Sequence, residues 1–141
     1  KLGKHIAPHF ASKYYSQIGL GIDFTARTVQ NELKQKGLPW EKAKAFDGSS
    51  LIGDWFDKET FKSLDELSFR LDKNGITVQE TTTAYMLWKI DELISYCSQY
   101  FTLKIGDVIF TGTPAGVGPV SIEDRLVGFI ENKQAFSVNI K

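Results

Sequence analysis

Asp23, Arg27 and Gln30 lie within one short stretch, Gly19-Leu20-Gly21-Ile22-Asp23-Phe24-Thr25-Ala26-Arg27-Thr28-Val29-Gln30. Residues three apart on a helix share a face, so Arg27 and Gln30 point together if a helix begins here, with Asp23 just ahead of it. A carboxylate, a guanidinium and an amide then converge near a helix N-terminus, which favours anions. A structural alternative stands beside this one, in which Asp23 caps the helix and Arg27 pairs with it. A second group runs from Thr111 to Pro119, Thr-Gly-Thr-Pro-Ala-Gly-Val-Gly-Pro. Its glycines let main chain approach a ligand closely, and Pro114 stiffens the turn after Thr113, so hydroxyls and amide N–H groups can face an oxyanion. A tight turn between strands is the plain alternative. Neither glycine cluster is a nucleotide loop. Gly118 is followed by Pro119 rather than the Lys-Ser/Thr of a phosphate loop, and Phe24 occupies the third glycine position after Gly19 and Gly21.

These residues need elements to hold them. Ile18 to Ile22 reads as a strand end, and Thr25 to Lys36 as a helix capped by Thr25 and stopped by Gly37 and Pro39. Pro8 to Tyr15 reads as a short helix. The stretch around Ser49, Ser50, Gly53 and Asp54 reads as loop. Glu66 to Leu71 alternates as a half-buried strand does, and Asn74-Gly75 signals a type I′ hairpin turn. Thr82 to Ser98 is the clearest helical pattern, with Met86, Leu87, Ile90, Leu93, Ile94 and Cys97 as one apolar stripe. Val108-Ile109-Phe110 suits a buried strand, and Leu126–Ile130 and Ala135–Ile140 suit two closing strands. Periodicity alone gives an α+β, strand-rich chain. No repeat, low-complexity tract or linker divides it, so residues 1–141 read as a single domain.

Composition narrows the function classes. Lys plus Arg and Asp plus Glu number 17 each, so no basic surplus draws the chain to nucleic acid or an anionic membrane. The single Cys97 excludes an internal disulfide framework, and its helical context reads as a buried thiol rather than a nucleophile. No apolar run approaches the length of a membrane span. His5 and His9 are the only histidines, and neither has a glutamate at helical spacing after it. A reducing, cytoplasmic setting is the expectation. Trp55, Phe56 and Phe61 either line a pocket or pack.

Four segments in order carry more than any one of them: Asp23-Phe24-Thr25-Ala26-Arg27-Thr28-Val29-Gln30, Pro39-Trp40 with Lys44-Ala45-Phe46, Asn74-Gly75 with Gln79, and Gly106-Asp107-Val108-Ile109-Phe110-Thr111-Gly112-Thr113-Pro114-Ala115-Gly116-Val117-Gly118. From about Gly19 onward the chain resembles the fumarylacetoacetate hydrolase family, in its small acylpyruvase, oxaloacetate decarboxylase and 2-hydroxyhepta-2,4-diene-1,7-dioate isomerase branch. The resemblance implies a mixed β-sandwich roll with helices outside, usually a homodimer, of which this chain is the C-terminal portion lacking the N-terminal part. It implies a divalent cation, Mg²⁺ or else Mn²⁺ or Ca²⁺, held by three carboxylates. Asp23 matches one, and the other two belong to an upstream Glu-x-Glu segment that residues 1–141 do not contain. Lys44 matches the catalytic lysine, with Lys42 as a nearby competitor. Arg27, Gln30 and Thr113 match substrate-binding positions. The implied substrate is a small 2-oxo or 1,3-dicarbonyl acid, processed through a metal-bound enolate by C–C hydrolysis, decarboxylation or isomerisation. With one carboxylate of three, the chain by itself is expected to hold metal poorly and to be inactive. The alternative is a non-catalytic fragment or binding scaffold that retains the fold.

Overall fold

The computed structural model describes residues 1–141. A four-residue helix α1 (Pro8–Ala11) precedes strand β1 (Gln17–Asp23) and helix α2 (Arg27–Gln35). A one-turn helix α3 (Glu41–Lys44) leads to β2 (Ser50–Asp57), and β3 (Ser68–Lys73) and β4 (Ile76–Thr82) form a hairpin. Helix α4 (Ile90–Tyr100) follows, and β5 (Arg125–Ile130) and β6 (Lys133–Asn139) close the chain order. The mixed α+β character and the two packed sheets agree with the expected class.

β1 and β2 pair antiparallel as a two-stranded sheet. The second sheet is fully antiparallel in the order β4-β3-β5-β6. Leu67, Leu126, Ile130, Ala135 and Phe136 are buried between the sheets, flanked by Ile18, Leu20, Ile22, Leu51 and Phe56 from β1 and β2. The core is sheet against sheet, because each strand places alternate side chains on one face. A smaller cluster of Ile6, Ala11 and Ile94 joins α1 to α4. No helix is long and apolar enough to cross a membrane.

The hairpin turns at Asn74 and Gly75, both with positive φ (52° and 80°), as a type I′ turn requires. α2 ends on Gly37, at φ 64°, where Leu38 N–H reaches the Leu33 carbonyl at 2.9 Å and Gly37 N–H the Lys34 carbonyl at 3.2 Å. This pair of bonds is a Schellman stop.

Several expectations are corrected. Ser50–Asp57 is a strand and not loop; Gly53 and Asp54 mask its pattern, and pairing with β1 overrides their low strand preference. The long helix begins at Ile90 rather than Thr82. Thr82 Oγ1 accepts from Ala84 N–H at 2.9 Å and caps a separate 3-10 turn, Thr83–Tyr85, after which Met86 is extended at φ −63°, ψ 133°. α4 starts afresh where the Glu92 carboxylate accepts from Lys89 N–H at 2.8 Å. Leu87, counted in the apolar stripe, is 98% exposed. Val108–Phe110 pairs with no strand, and Val108 and Phe110 are exposed. α1 stops at Ala11, where Lys13 and Tyr14 N–H bond back to Phe10 and Ala11 as turns. Cys97 is half-buried rather than buried.

Candidate active site

β1 delivers Asp23 to its last position, opposite Ser50 of β2. Phe24 N–H then donates to the Ser49 carbonyl at 2.7 Å, and Ala26 N–H to the Ala43 carbonyl at 3.1 Å. Ala43 is fully buried. These two main-chain bonds lash the start of α2 and the body of α3 to the end of β1, so Lys44 arrives beside Asp23 although 21 residues separate them. Lys44 Nζ donates to Asp23 Oδ2 at 2.6 Å and to Thr25 Oγ1 at 2.7 Å. The ammonium is thus clamped between a carboxylate and a hydroxyl, with side-chain exposures of 35% for Lys44 and 36% for Asp23. The pair sits at the surface, where solvent still reaches both charges. Lys42 is exposed and makes no hydrogen bond or ion pair, as a solvated face requires.

Arg27 Nη1 donates to Gln30 Oε1 at 2.8 Å, so the expected shared face is real. Gln30 is buried and Arg27 exposed. Gln30 therefore fixes the guanidinium and leaves its other N–H groups free to fork onto a carboxylate. The capping reading of Asp23 fails, because α2 has Ala26 at its N-cap and no side-chain cap bond. Thr25, expected as that cap, instead accepts from Lys44 and donates weakly to the Asp23 carbonyl at 3.5 Å. Its role as a lysine anchor was the residue-level signal that reasoning from the sequence missed.

Thr113 is exposed on the loop that follows α4 and bonds directly to none of the other four residues. The loop meets the site through Phe110: a Cβ at Gly21 would lie 2.9 Å from the Phe110 ring and 2.6 Å from the Leu51 carbonyl oxygen. Gly21 is thus a forced close approach that seats the loop against β1, two residues from Asp23. The structure brings Asp23, Thr25 and Lys44 together and pairs Arg27 with Gln30, while Thr113 makes no hydrogen bond to any of them.

Asp23 Oδ1 accepts no hydrogen bond, so one carboxylate oxygen is open to a hard cation. No three His, Cys, Asp or Glu side chains gather anywhere in the chain to complete a donor set. The residues present fit a divalent metal as one ligand of several. Trp55, a candidate pocket residue, lies 45% exposed over Gly19, and Phe61 packs edge-on against Phe56 with ring centroids 6.0 Å apart.

A family profile described as fumarylacetoacetate (FAA) hydrolase C-terminal matches residues 1–140. The chain belongs to this family. Among curated relatives, it is 46% identical over 109 residues to the oxaloacetate tautomerase YcgM of Escherichia coli, covering 77% of this chain and 50% of that protein. It is 38% identical over 141 residues to a mitochondrial oxaloacetate tautomerase of Mus musculus, covering 100% of this chain and 64% of that one. The chain thus spans about half to two thirds of these relatives' length. A fumarylacetoacetate hydrolase family protein of Yersinia pestis superposes with a TM-score of 0.95 at 35% identity, covering 100% of this chain and 66% of that one. Fumarylpyruvate hydrolase of Pseudomonas aeruginosa, solved in complex with Mn²⁺ and pyruvate, superposes with a TM-score of 0.92 at 33% identity, covering 99% of this chain and 60% of that one. The family's relatives are enzymes, and one of them holds a divalent metal.

Proposed function

We propose that this chain carries the substrate-binding half of a divalent-metal-dependent enzyme acting on small 2-oxo or 1,3-dicarbonyl acids through an enolate. Keto–enol tautomerisation of a 2-oxo dicarboxylate such as oxaloacetate is the leading reaction. The observation that carries the reading is the Lys44 ammonium held at 2.6 Å from Asp23 and 2.7 Å from Thr25 at the end of β1. A fixed ammonium beside a metal-capable carboxylate is the device that enolate formation needs. When the C–H next to the ketone loses its proton, negative charge moves onto the ketone oxygen, and a preoriented donor lowers the energy of that charge at no reorganisation cost. Names of the curated relatives support the tautomerase assignment over hydrolysis or decarboxylation.

Roles follow from chemistry. Asp23 is one ligand of the cation, with Mg²⁺ favoured and Mn²⁺ or Ca²⁺ as substitutes; the remaining donors lie outside residues 1–141. When bound, the metal supplies Lewis-acid charge at the substrate's oxygens. Arg27, steadied by Gln30, pairs with a substrate carboxylate. Thr113 donates its hydroxyl to a substrate oxygen. Lys44 holds the developing negative charge. As one domain carrying one of several metal ligands, residues 1–141 alone are inactive, and pairing as a homodimer belongs to the same proposal. The test is a panel of 2-oxo and 1,3-dicarbonyl acids with the full-length protein and each cation, scored for keto–enol exchange, C–C cleavage and CO₂ release. Metal-dependent exchange supports the reading; no turnover on any member with any cation overturns it.

A further inference from the structure

The segment from Val108 to Val120 makes no main-chain to main-chain hydrogen bond at all. A loop of this length without its own ladder needs side chains to hold it. Three polar bonds do so, and all come from the β3–β4 hairpin. Gln79 Nε2 donates to the Pro114 carbonyl at 3.1 Å and to the Ala115 carbonyl at 3.4 Å, and Lys73 Nζ donates to the Pro119 carbonyl at 3.2 Å. Only the amide nitrogen can serve two carbonyls, so the chemistry fixes which way the Gln79 amide faces. Steric fit adds to the polar bonds. Gly116 has φ 96°, and a Cβ there would collide with the Val78 carbonyl oxygen and lie 3.1 Å from Gln79 Cγ. β4 bulges at this point: Leu71 pairs with Gln79 and Asp72 with Thr77, which leaves Val78 as the extra residue. The bulge pushes the Val78 carbonyl toward the loop and re-aims the next side chain.

We infer that Gln79 is the positioning residue of the site. It fixes the loop that carries Thr113 by holding the two carbonyls directly after it, and so sets where the threonine hydroxyl meets substrate. This rests on Thr113 being a substrate contact. Lys73, at the far end of the loop, holds Pro119 and leaves the Thr113 turn to Gln79.

The test uses the full-length protein and two readouts. Backbone ¹⁵N order parameters read the clamp without any substrate. In Gln79→Leu, those of Gly112, Thr113, Ala115, Gly116 and Val117 fall from the rigid range of about 0.85 to about 0.6 or below, while β3 and β5 keep theirs. Gln79→Glu separates a donor role from mere packing. As a carboxylate it faces two carbonyl oxygens and cannot donate; once protonated it donates one hydrogen. The loop's order parameters in Gln79→Glu therefore rise as pH falls toward and below the ordinary glutamate range of about 4.3. Wild type shows no such recovery. Where the substrate panel gives turnover, kcat/KM falls about tenfold in Gln79→Leu, with the larger part in kcat. If the loop order parameters in Gln79→Leu stay as in wild type, or the Gln79→Glu loop is indifferent to pH, the positioning role is overturned even with the enzyme active. If the panel finds no turnover while the order-parameter pattern holds, the function is lost and the clamp stands.

Discussion

Replacing Lys44 with alanine separates a catalytic ammonium from a structural ion pair, because the two roles carry different magnitudes. The Lys44–Asp23 contact is short, at 2.6 Å, but both side chains are about one third exposed, at 35% and 36%. Ion pairs that solvent can reach contribute at most ~1 kcal/mol, and the hydrogen bond to Thr25 adds a similar small amount. For a chain of this size ~1 kcal/mol moves Tm by about 3 °C. A preoriented donor to a developing oxyanion is worth more, about 10²–10³-fold in kcat, or ~3–4 kcal/mol. Lys44→Ala in the full-length protein should therefore lower Tm by a few degrees and turnover by two to three orders of magnitude. Metal affinity, measured by calorimetric titration, should change far less than turnover, and Asp23, relieved of its partner, remains available as a ligand. Keto–enol exchange is followed through the ultraviolet absorbance of the enol. Lys42→Ala is the matched control, since that side chain is exposed and makes no bond. Turnover of Lys44→Ala within a few-fold of wild type, or an equal loss in Lys42→Ala, refutes the assignment.

Asp23→Ala in the full-length protein should remove metal-dependent activity and weaken cation binding at least tenfold, read by titration with Mg²⁺ and Mn²⁺; unchanged affinity would move the ligand elsewhere. Tyr15 is pushed up to about 12, first by its burial and then by the Asp91 carboxylate beside it. The folded state thus keeps a proton that the unfolded state loses near pH 10, so stability present below pH 10 declines as pH rises from there to about 12. Chemical denaturation across that window should show the slope in wild type and a shallower one in Tyr15→Phe. Leu126 is 1% exposed in the central strand β5, and Leu126→Ala should cost ~2–4 kcal/mol in a urea titration. Asp124 is held below the usual carboxylate range by the Ser121 N–H and Asn74 amide that it accepts from. Its contribution is present above the ordinary aspartate value and lost as pH falls through the depressed one, so Asp124→Asn should flatten the acid limb of stability measured by circular dichroism.

Legibility in the sequence followed how local each determinant was. Asn74-Gly75 specified its turn because the left-handed geometry is written into two residues, and Gly37 ended α2 for the same reason. Arg27 and Gln30 were legible as partners because three residues on a helix fix their side. The Lys44–Asp23 pair was not, since no local pattern links residues on α3 and β1; only the ordered family motifs singled out Lys44. β2 was hidden because its strand character comes from pairing with β1 and not from its own glycine and aspartate. The apolar period continued past the true start of α4 into Met86 and Leu87, because periodicity records residue types and not where Thr82 and Glu92 place the caps. The loop from Val108 to Val120 read as a strand at its apolar start, but it has no neighbour to pair with.

The central position of β5 has a consequence for synthesis. Leu126 and Ile130, among the most buried side chains, lie on a strand that leaves the ribosome only after residues 1–124 have emerged. Until then β3 presents an unsatisfied edge to solvent, and the inner faces of β1 and β2 have little to pack on. Nascent chains should engage chaperones through that interval, and a polypeptide halted before Arg125 should aggregate rather than fold.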